Sequence, residues 1–213
     1  MDGILRVASS MSTAWVSWVM LALLVLMAFN RFFAVDLSNV VRGLFSRSER
    51  LYLDVSWQGQ VLAWLFRAGV MAMAIYLLLS RELGACEWVG YMVSLAMVSA
   101  CLLVQYGLES FVSVVFLSGK QKELVFEQRG CICNAMMFVL WLVVLVIQWV
   151  DNTLVMKWVC MAVAVVYVLL LLLKGVQLLY KNVLSVLYVL VSIISLEVVP
   201  WVVTISVIKH MLQ

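Results

Sequence analysis

A carboxylate and a proline stand close together inside a long apolar stretch at residues 183–208. Glu197 lies in the middle part of this stretch, and Pro200, the only proline in the chain, follows it about one helical turn later. A charge near the centre of a bilayer costs about 2.5–3.5 kcal/mol on insertion scales, so Glu197 is expected to be protonated, paired with a cation or hydrated. Because proline lacks an N–H, Pro200 leaves the carbonyl of Leu196 without its helical donor and favours a kink.

The polar neighbours of this pair fall on two faces of the predicted helix. One stripe, at spacings of three and four residues, comprises Ser185, Tyr188, Ser192 and Ser195. Glu197 lies on another face, together with Trp201 and Thr204. Polar groups on two faces predict a helix that is packed on most sides. Glu197, Pro200 and Tyr188 are therefore candidates for a structural hydrogen bond at the kink, a proton, ion or substrate site, or a partner-binding site.

Two further charges, Arg67 and Glu109, interrupt or border other apolar stretches. Arg67 lies about two turns into the stretch at residues 61–79, so its long side chain is expected to snorkel to the interface. Glu109 follows the stretch at residues 88–106, after Gly107, where the helix either continues with a tilt or breaks. Since the two residues lie at similar depths, they are predicted either to pair with each other or to be solvated separately at the headgroups.

The cysteines and the single histidine argue against a metal or redox centre. The five cysteines are an odd number, and Cys101 and Cys160 lie inside apolar stretches, which is not the pattern of a disulfide framework. Cys131 and Cys133 form a lone Cys-x-Cys, a weak metal or redox signal that is expected to be two ordinary thiols at a helix end. No metal and no cofactor are therefore expected.

Composition places the chain in the membrane class. Hydrophobic residues make up 67% and charged residues 12% of the 213 residues, and the mean hydropathy is +1.15. Ordinary soluble domains are about 45–50% apolar and 25% charged. The predicted fold is all-α, a single polytopic membrane domain of about six transmembrane helices. The predicted spans are residues 13–29, 61–79, 88–106, 134–150, 154–173 and 183–208.

The segments between the spans differ in character. After the first span, which is read as a retained membrane helix rather than a signal peptide, apolar residues at helical spacing predict a short interfacial helix at residues 36–46. Short turns are predicted at residues 80–87 and 151–153, and a charged loop at residues 118–130. A short turn makes its two flanking spans a hairpin.

The basic residues are distributed unequally between the two sides of such a topology. The first, third and fifth intervals contain nine of them: Arg31, Arg42, Arg47, Arg50, Lys120, Lys122, Arg129, Lys174 and Lys181. The opposite side contains four: Arg6, Arg81, Lys157 and Lys209. The positive-inside rule then predicts that the three basic intervals face the cytoplasm and that both termini lie outside.

Two segments resemble an uncharacterised integral-membrane family of Bacteroidetes-type bacteria, a domain of unknown function. The last span, with Tyr188, Glu197 and Pro200, resembles that family's C-terminal signature of the form LYxC-x-LE-x-x-P. Residues 116–120 resemble its Phe-Gly-Lys/Arg element before the fourth span, and the resemblance covers most of residues 45–208. The family's Cys and Thr have no clear match at residues 189–195. The resemblance implies a bacterial inner-membrane protein and supplies no activity.

Among the classes of function, a non-enzymatic inner-membrane component fits best, as a scaffold, assembly factor or accessory subunit of an envelope complex. The alternative is a small proton-coupled transporter using Glu197, although no inverted repeat is evident. A lipid-modifying enzyme would need clustered His, Asp or Glu, or a nucleophile with its base, and the sequence shows neither. The expected partners are the lipid bilayer and a membrane protein or a second copy of the chain, and not nucleic acid.

Overall fold

The computed structural model describes residues 15–29, 57–83, 88–117, 119–147, 153–179, 188–189, 192, 195 and 199–212. Six helices account for most of them: α1 (Trp15–Phe29), α2 (Trp57–Leu83), α3 (Trp88–Phe116), α4 (Gly119–Ile147), α5 (Thr153–Leu179) and α6 (Val199–Leu212). Within these ranges there is no strand, so the predicted all-α fold is confirmed. The interfacial helix predicted at residues 36–46 lies outside the described residues.

Four of these helices are long and apolar enough to cross a membrane. Their apolar segments are Gln58–Leu78, Trp88–Phe116, Gln128–Val146 and Lys157–Val176. At 1.5 Å of rise per residue, about 20 helical residues match a hydrocarbon core of roughly 30 Å. The described apolar parts of the first and last helices, Trp15–Phe29 and Val199–Ile208, are shorter. The protein is a helical membrane-embedded protein.

The third helix is one continuous element. The sequence left open a break near Gly107, but α3 continues through it to Phe116. A Cβ at Gly107 would meet nothing within 4 Å, so this glycine serves no close approach. One interior glycine costs about 1 kcal/mol of helix stability, whereas unpaired backbone groups in lipid cost several kcal/mol each. Continuing the helix is the less costly arrangement.

The fourth helix begins earlier than predicted, and this corrects the charged loop expected at residues 118–130. The connection is confined to residues 117–118, and α4 starts at Gly119. The N–H of Leu117 donates to the carbonyl of Ser113 at 3.0 Å, which closes the end of α3. The segment is rich in Lys, Glu, Gln and Arg, which are good helix formers, so it extends the membrane helix beyond the apolar run.

The second helix is the centre of the bundle. Its buried side chains, among them Met73 and Tyr76, contact α1, α3, α4 and α6 in one apolar cluster. Small residues allow this close packing: a Cβ at Gly69 would lie 2.5 Å from Leu23 Cδ2 on α1. The Trp15 ring packs against the rings of Tyr76 and Tyr91, with centroids 5.4 and 5.8 Å away.

A second, smaller cluster lies beside the α3–α4 connection. Its buried members are Leu117, Ile132, Met136, Leu171, Tyr188 and Val189. They bring α4 and α5 together with the helical residues 188–189. Gly175 on α5 lies so close to that segment that a Cβ there would be 2.7 Å from Val189 Cγ1. This cluster positions the polar side chains described next.

Candidate functional site

A buried ion pair joins the two helices that flank the connection at residues 117–118. Glu109 lies about two turns before the end of α3, and Arg129 lies about three turns after the start of α4. Because the chain reverses direction between them, the two side chains meet, and Arg129 Nη1 contacts Glu109 Oε1. The side chain of Glu109 is 7% exposed and that of Arg129 is 16% exposed. Each charge therefore depends on the other for compensation within the bundle.

Arg67 fastens α2 to the same part of α4. Its Nε donates to Asn134 Oδ1 at 2.8 Å, and its Nη2 donates to the backbone carbonyl of Gly130 at 3.2 Å. Arg67 is half-buried and directed at a neighbouring helix, and its snorkelling to the interface stays a prediction. Two neutral acceptors from α4 satisfy part of its guanidinium inside the bundle.

The predicted pair between Arg67 and Glu109 is wrong. Each of the two charges has a different partner, Asn134 and Gly130 for Arg67 and Arg129 for Glu109. Separate solvation at the headgroups is also wrong for Glu109, which is 5% exposed. The reason is the early start of α4, which turns Arg129 from a loop residue into a helical residue facing α3.

A small cavity lined by both apolar and polar side chains adjoins the ion pair. It has a volume of about 40 Å³, and it lies between α3, α4, α5 and the helical residues around Tyr188. The polar side chains that line it are Glu109, Gln128, Arg129, Lys174, Tyr188 and Ser192. A cavity of this size has room for about three water molecules, at roughly 10–15 Å³ of centre-accessible space for each.

Two buried polar atoms at this cavity have no hydrogen-bond partner in the described part of the chain. They are the Tyr188 hydroxyl and Gln128 Oε1. Tyr188 is 1% exposed, and its ring packs against Phe116 with the centroids 6.3 Å apart. The Ser192 hydroxyl, in contrast, donates to the carbonyl of Val189 at 3.0 Å. The cavity thus combines a buried ion pair with hydrogen-bonding capacity that none of the described residues uses.

The predicted residues of the last span fall in different places. Tyr188 lies at the cavity, and Pro200 is the second residue of the described helix α6. Ser195 lies in a π-helical turn shortly before Pro200. Thr204 is buried and Trp201 packs against the main cluster. Glu197 lies outside the described residues, so its prediction stays untested.

The sequence does not predict three of the polar residues at this site, namely Gln128, Arg129 and Lys174. The sequence predicts a loop for Gln128 and Arg129 and a connector for Lys174, but all three residues lie within helices. The signal that would have found Arg129 is its distance from the connection, which nearly mirrors that of Glu109. Lys174 lies about one turn before the end of α5 and faces the same cavity.

The described residues do not form the side-chain groups that are typical of metal or disulfide centres. Among the described residues, no group of three or more His, Cys, Asp or Glu is placed to hold a metal ion. The four described cysteines, Cys101, Cys131, Cys133 and Cys160, form no disulfide. What these side chains can do is hold helices together and accommodate a small polar molecule.

Comparison with known proteins adds no relative. No family model, no curated protein and no solved structure matches the chain. The resemblance to the Bacteroidetes-type membrane family therefore stays a prediction.

Proposed function

We propose that the protein is a non-enzymatic component of a bacterial inner membrane and acts as an accessory or scaffold subunit bound to another membrane protein through α5. One observation carries this proposal: of the four long apolar helices, α5 is the one the bundle hardly covers. Only 6% of its apolar segment is buried, against 50% for α2 and 33% for α3. A helix so little used by its own bundle is the most accessible element for a partner helix.

The exposed side of α5 is a continuous apolar surface. It comprises Trp158, Met161, Val165, Leu169, Leu173 and Val176. These residues follow one another at spacings of three or four and therefore lie on one face. In a bilayer such a face contacts either lipid or another helix, and helix association is driven by packing rather than by the hydrophobic effect.

The polar interior supports a structural rather than a catalytic role. Arg129 and Glu109 join α4 to α3, while Arg67 joins α2 to α4. These contacts hold charges in fixed positions, whereas a hydrolase or transferase would need a nucleophile with its base. The bundle is therefore suited to present an outer surface.

Site-specific photocrosslinking in native membranes tests the proposal. A photoreactive residue at Leu169 or Val165 on α5 is expected to yield one crosslinked protein of discrete mass. The matched control is Leu103 on α3, which is 60% exposed and is expected to yield lipid adducts alone. Lipid adducts alone at every position would overturn the proposal, and a crosslinked product of twice the chain's mass would identify a second copy as the partner.

A proton-coupled transporter is the second candidate, and the cavity beside Glu109 is the observation that favours it. Intramembrane carboxyls that line cavities commonly serve ion or proton pathways. The sequence assigns the titrating role to Glu197. In proteoliposomes, proton-driven solute flux that is lost in Glu197→Gln would support this candidate. Flux that is retained there and lost in Glu109→Gln would transfer the role to the cavity, and no flux in the wild type would reject transport.

A further inference from the structure

The hydrogen-bonding requirements of the cavity define what occupies it. The Tyr188 hydroxyl is buried and can donate one hydrogen bond and accept others. Gln128 Oε1 can only accept. Neither atom has a partner among the described residues. A buried polar atom without a partner is costly, and in native structures nearly all such atoms are paired with protein or with ordered water.

The charges around the cavity exclude most other occupants. An anion cannot donate a hydrogen bond to Gln128 Oε1, and a cation would be repelled by Arg129 and Lys174, of whose two charges Glu109 compensates only one. An apolar molecule would leave the Tyr188 hydroxyl and Gln128 Oε1 without partners. The occupant must therefore be small, neutral, and able both to donate and to accept hydrogen bonds.

We infer that this cavity is a hydration site, in which ordered water molecules connect the Tyr188 hydroxyl and Gln128 Oε1 to the Glu109–Arg129 ion pair. Water meets every requirement: it accepts from the tyrosine hydroxyl, donates to the glutamine oxygen and carries no charge. The volume of about 40 Å³ accommodates about three molecules.

Hydration also explains how the ion pair is accommodated. A buried ion pair in a dry bundle pays a desolvation penalty that the attraction between the charges repays only when further hydrogen bonds are present. Waters beside Glu109 supply those hydrogen bonds. The cavity lies against Leu171 and Lys174 of α5, whereas the partner surface is the opposite, exposed face of that helix, so either proposal can fail without the other.

Radiolytic hydroxyl-radical labelling of the purified full-length chain, read by mass spectrometry, tests the inference. Radicals formed from bound water label the side chains next to it even when those side chains are buried. Tyr188 and Tyr76 are matched, since both are 1% exposed, but Tyr76 packs among aromatic rings in the main cluster. Labelling of Tyr188 is expected to be several-fold faster than that of Tyr76. Equal rates would show that the cavity is dry and would overturn the inference.

The variant Tyr188→Phe provides a second test, whose sign differs between a wet and a dry cavity. If water is present, the hydroxyl is hydrogen-bonded, and its removal should lower Tm by roughly 2–4 °C for a chain of this size. If the cavity is dry, removal relieves an unpaired buried group, and Tm should stay the same or rise. Tyr106→Phe is the control, because Tyr106 is 64% exposed and its variant should melt like the wild type.

Discussion

Glu109 is a charged side chain buried in a membrane bundle, and an ion pair compensates its charge without protonation. It is 5% exposed, and Arg129 approaches it from the next helix. Removing one partner of a buried pair leaves an uncompensated charge, which typically costs about 3–5 kcal/mol. Replacing both partners with apolar residues can be far less costly.

A double-mutant cycle at Glu109 and Arg129 measures this dependence. Glu109→Leu and Arg129→Leu should each lower the free energy of unfolding by about 3–5 kcal/mol, and the double variant should lose much less than the sum. Thermal or denaturant unfolding in detergent is the measurement. The control cycle pairs Glu109→Leu with Arg67→Leu, which have separate partners and should be much closer to additive. Stronger coupling of Glu109 to Arg67 than to Arg129 would contradict the structure.

At the scale of helices, the contact between α5 and the helical residues 188–189 depends on a glycine. A Cβ at Gly175 would lie 2.7 Å from Val189 Cγ1 and 3.0 Å from its Cγ2, and both are branches of a stiff side chain that is itself buried. The space at Gly107 on α3 is open instead. The two glycines therefore occupy helix interiors for different reasons.

Alanine substitution at these two positions should change stability in opposite directions. Gly175→Ala overpacks the contact, which typically costs about 1–3 kcal/mol and outweighs the 0.5–1 kcal/mol that alanine contributes to a helix. Gly107→Ala gains the helix contribution without a clash, so its Tm should rise slightly. Melting of both variants in the same detergent checks this expectation. A rise in Tm for both would mean that α5 does not pack on residues 188–189 as described.

For the whole molecule, the basic side chains at the ion pair and the cavity distinguish one end of the bundle from the other. Arg67, Arg129 and Lys174 come from three helices, yet all lie on the side of the connection between α3 and α4. Basic residues concentrate on the cytoplasmic side of membrane proteins. The positive-inside rule therefore predicts that this end of the bundle faces the cytoplasm and that both termini lie outside.

Reporter fusions test that orientation. Alkaline phosphatase, which is active only outside the cytoplasm, should be active when fused at Gln213. Green fluorescent protein does not become fluorescent when it is exported unfolded. It should therefore fluoresce when fused after Lys122 and stay dark when fused at Gln213. The inverse pattern at both positions would reverse the proposed topology.

The amino-acid sequence by itself determined the class of this protein. Apolar stretches of about 20 residues have few stable forms in a bilayer other than helices, because every backbone group must be paired internally. Composition and the length of the apolar stretches therefore predicted an all-α membrane protein. The positions of Tyr188, Arg67 and Glu109 in the sequence also marked them as polar candidates within or beside apolar stretches.

Only the tertiary structure decided who those partners are. The apolar run predicted a start for α4 near residue 134, yet the helix begins at Gly119, because good helix formers continue it past the apolar region. Because of that extension, Arg129 lies within a helix and contacts Glu109. Asn134 of the same helix accepts a hydrogen bond from Arg67. Partner choice depends on the rotation and depth of neighbouring helices, which follow from tertiary packing and not from the spacing of charges along one chain.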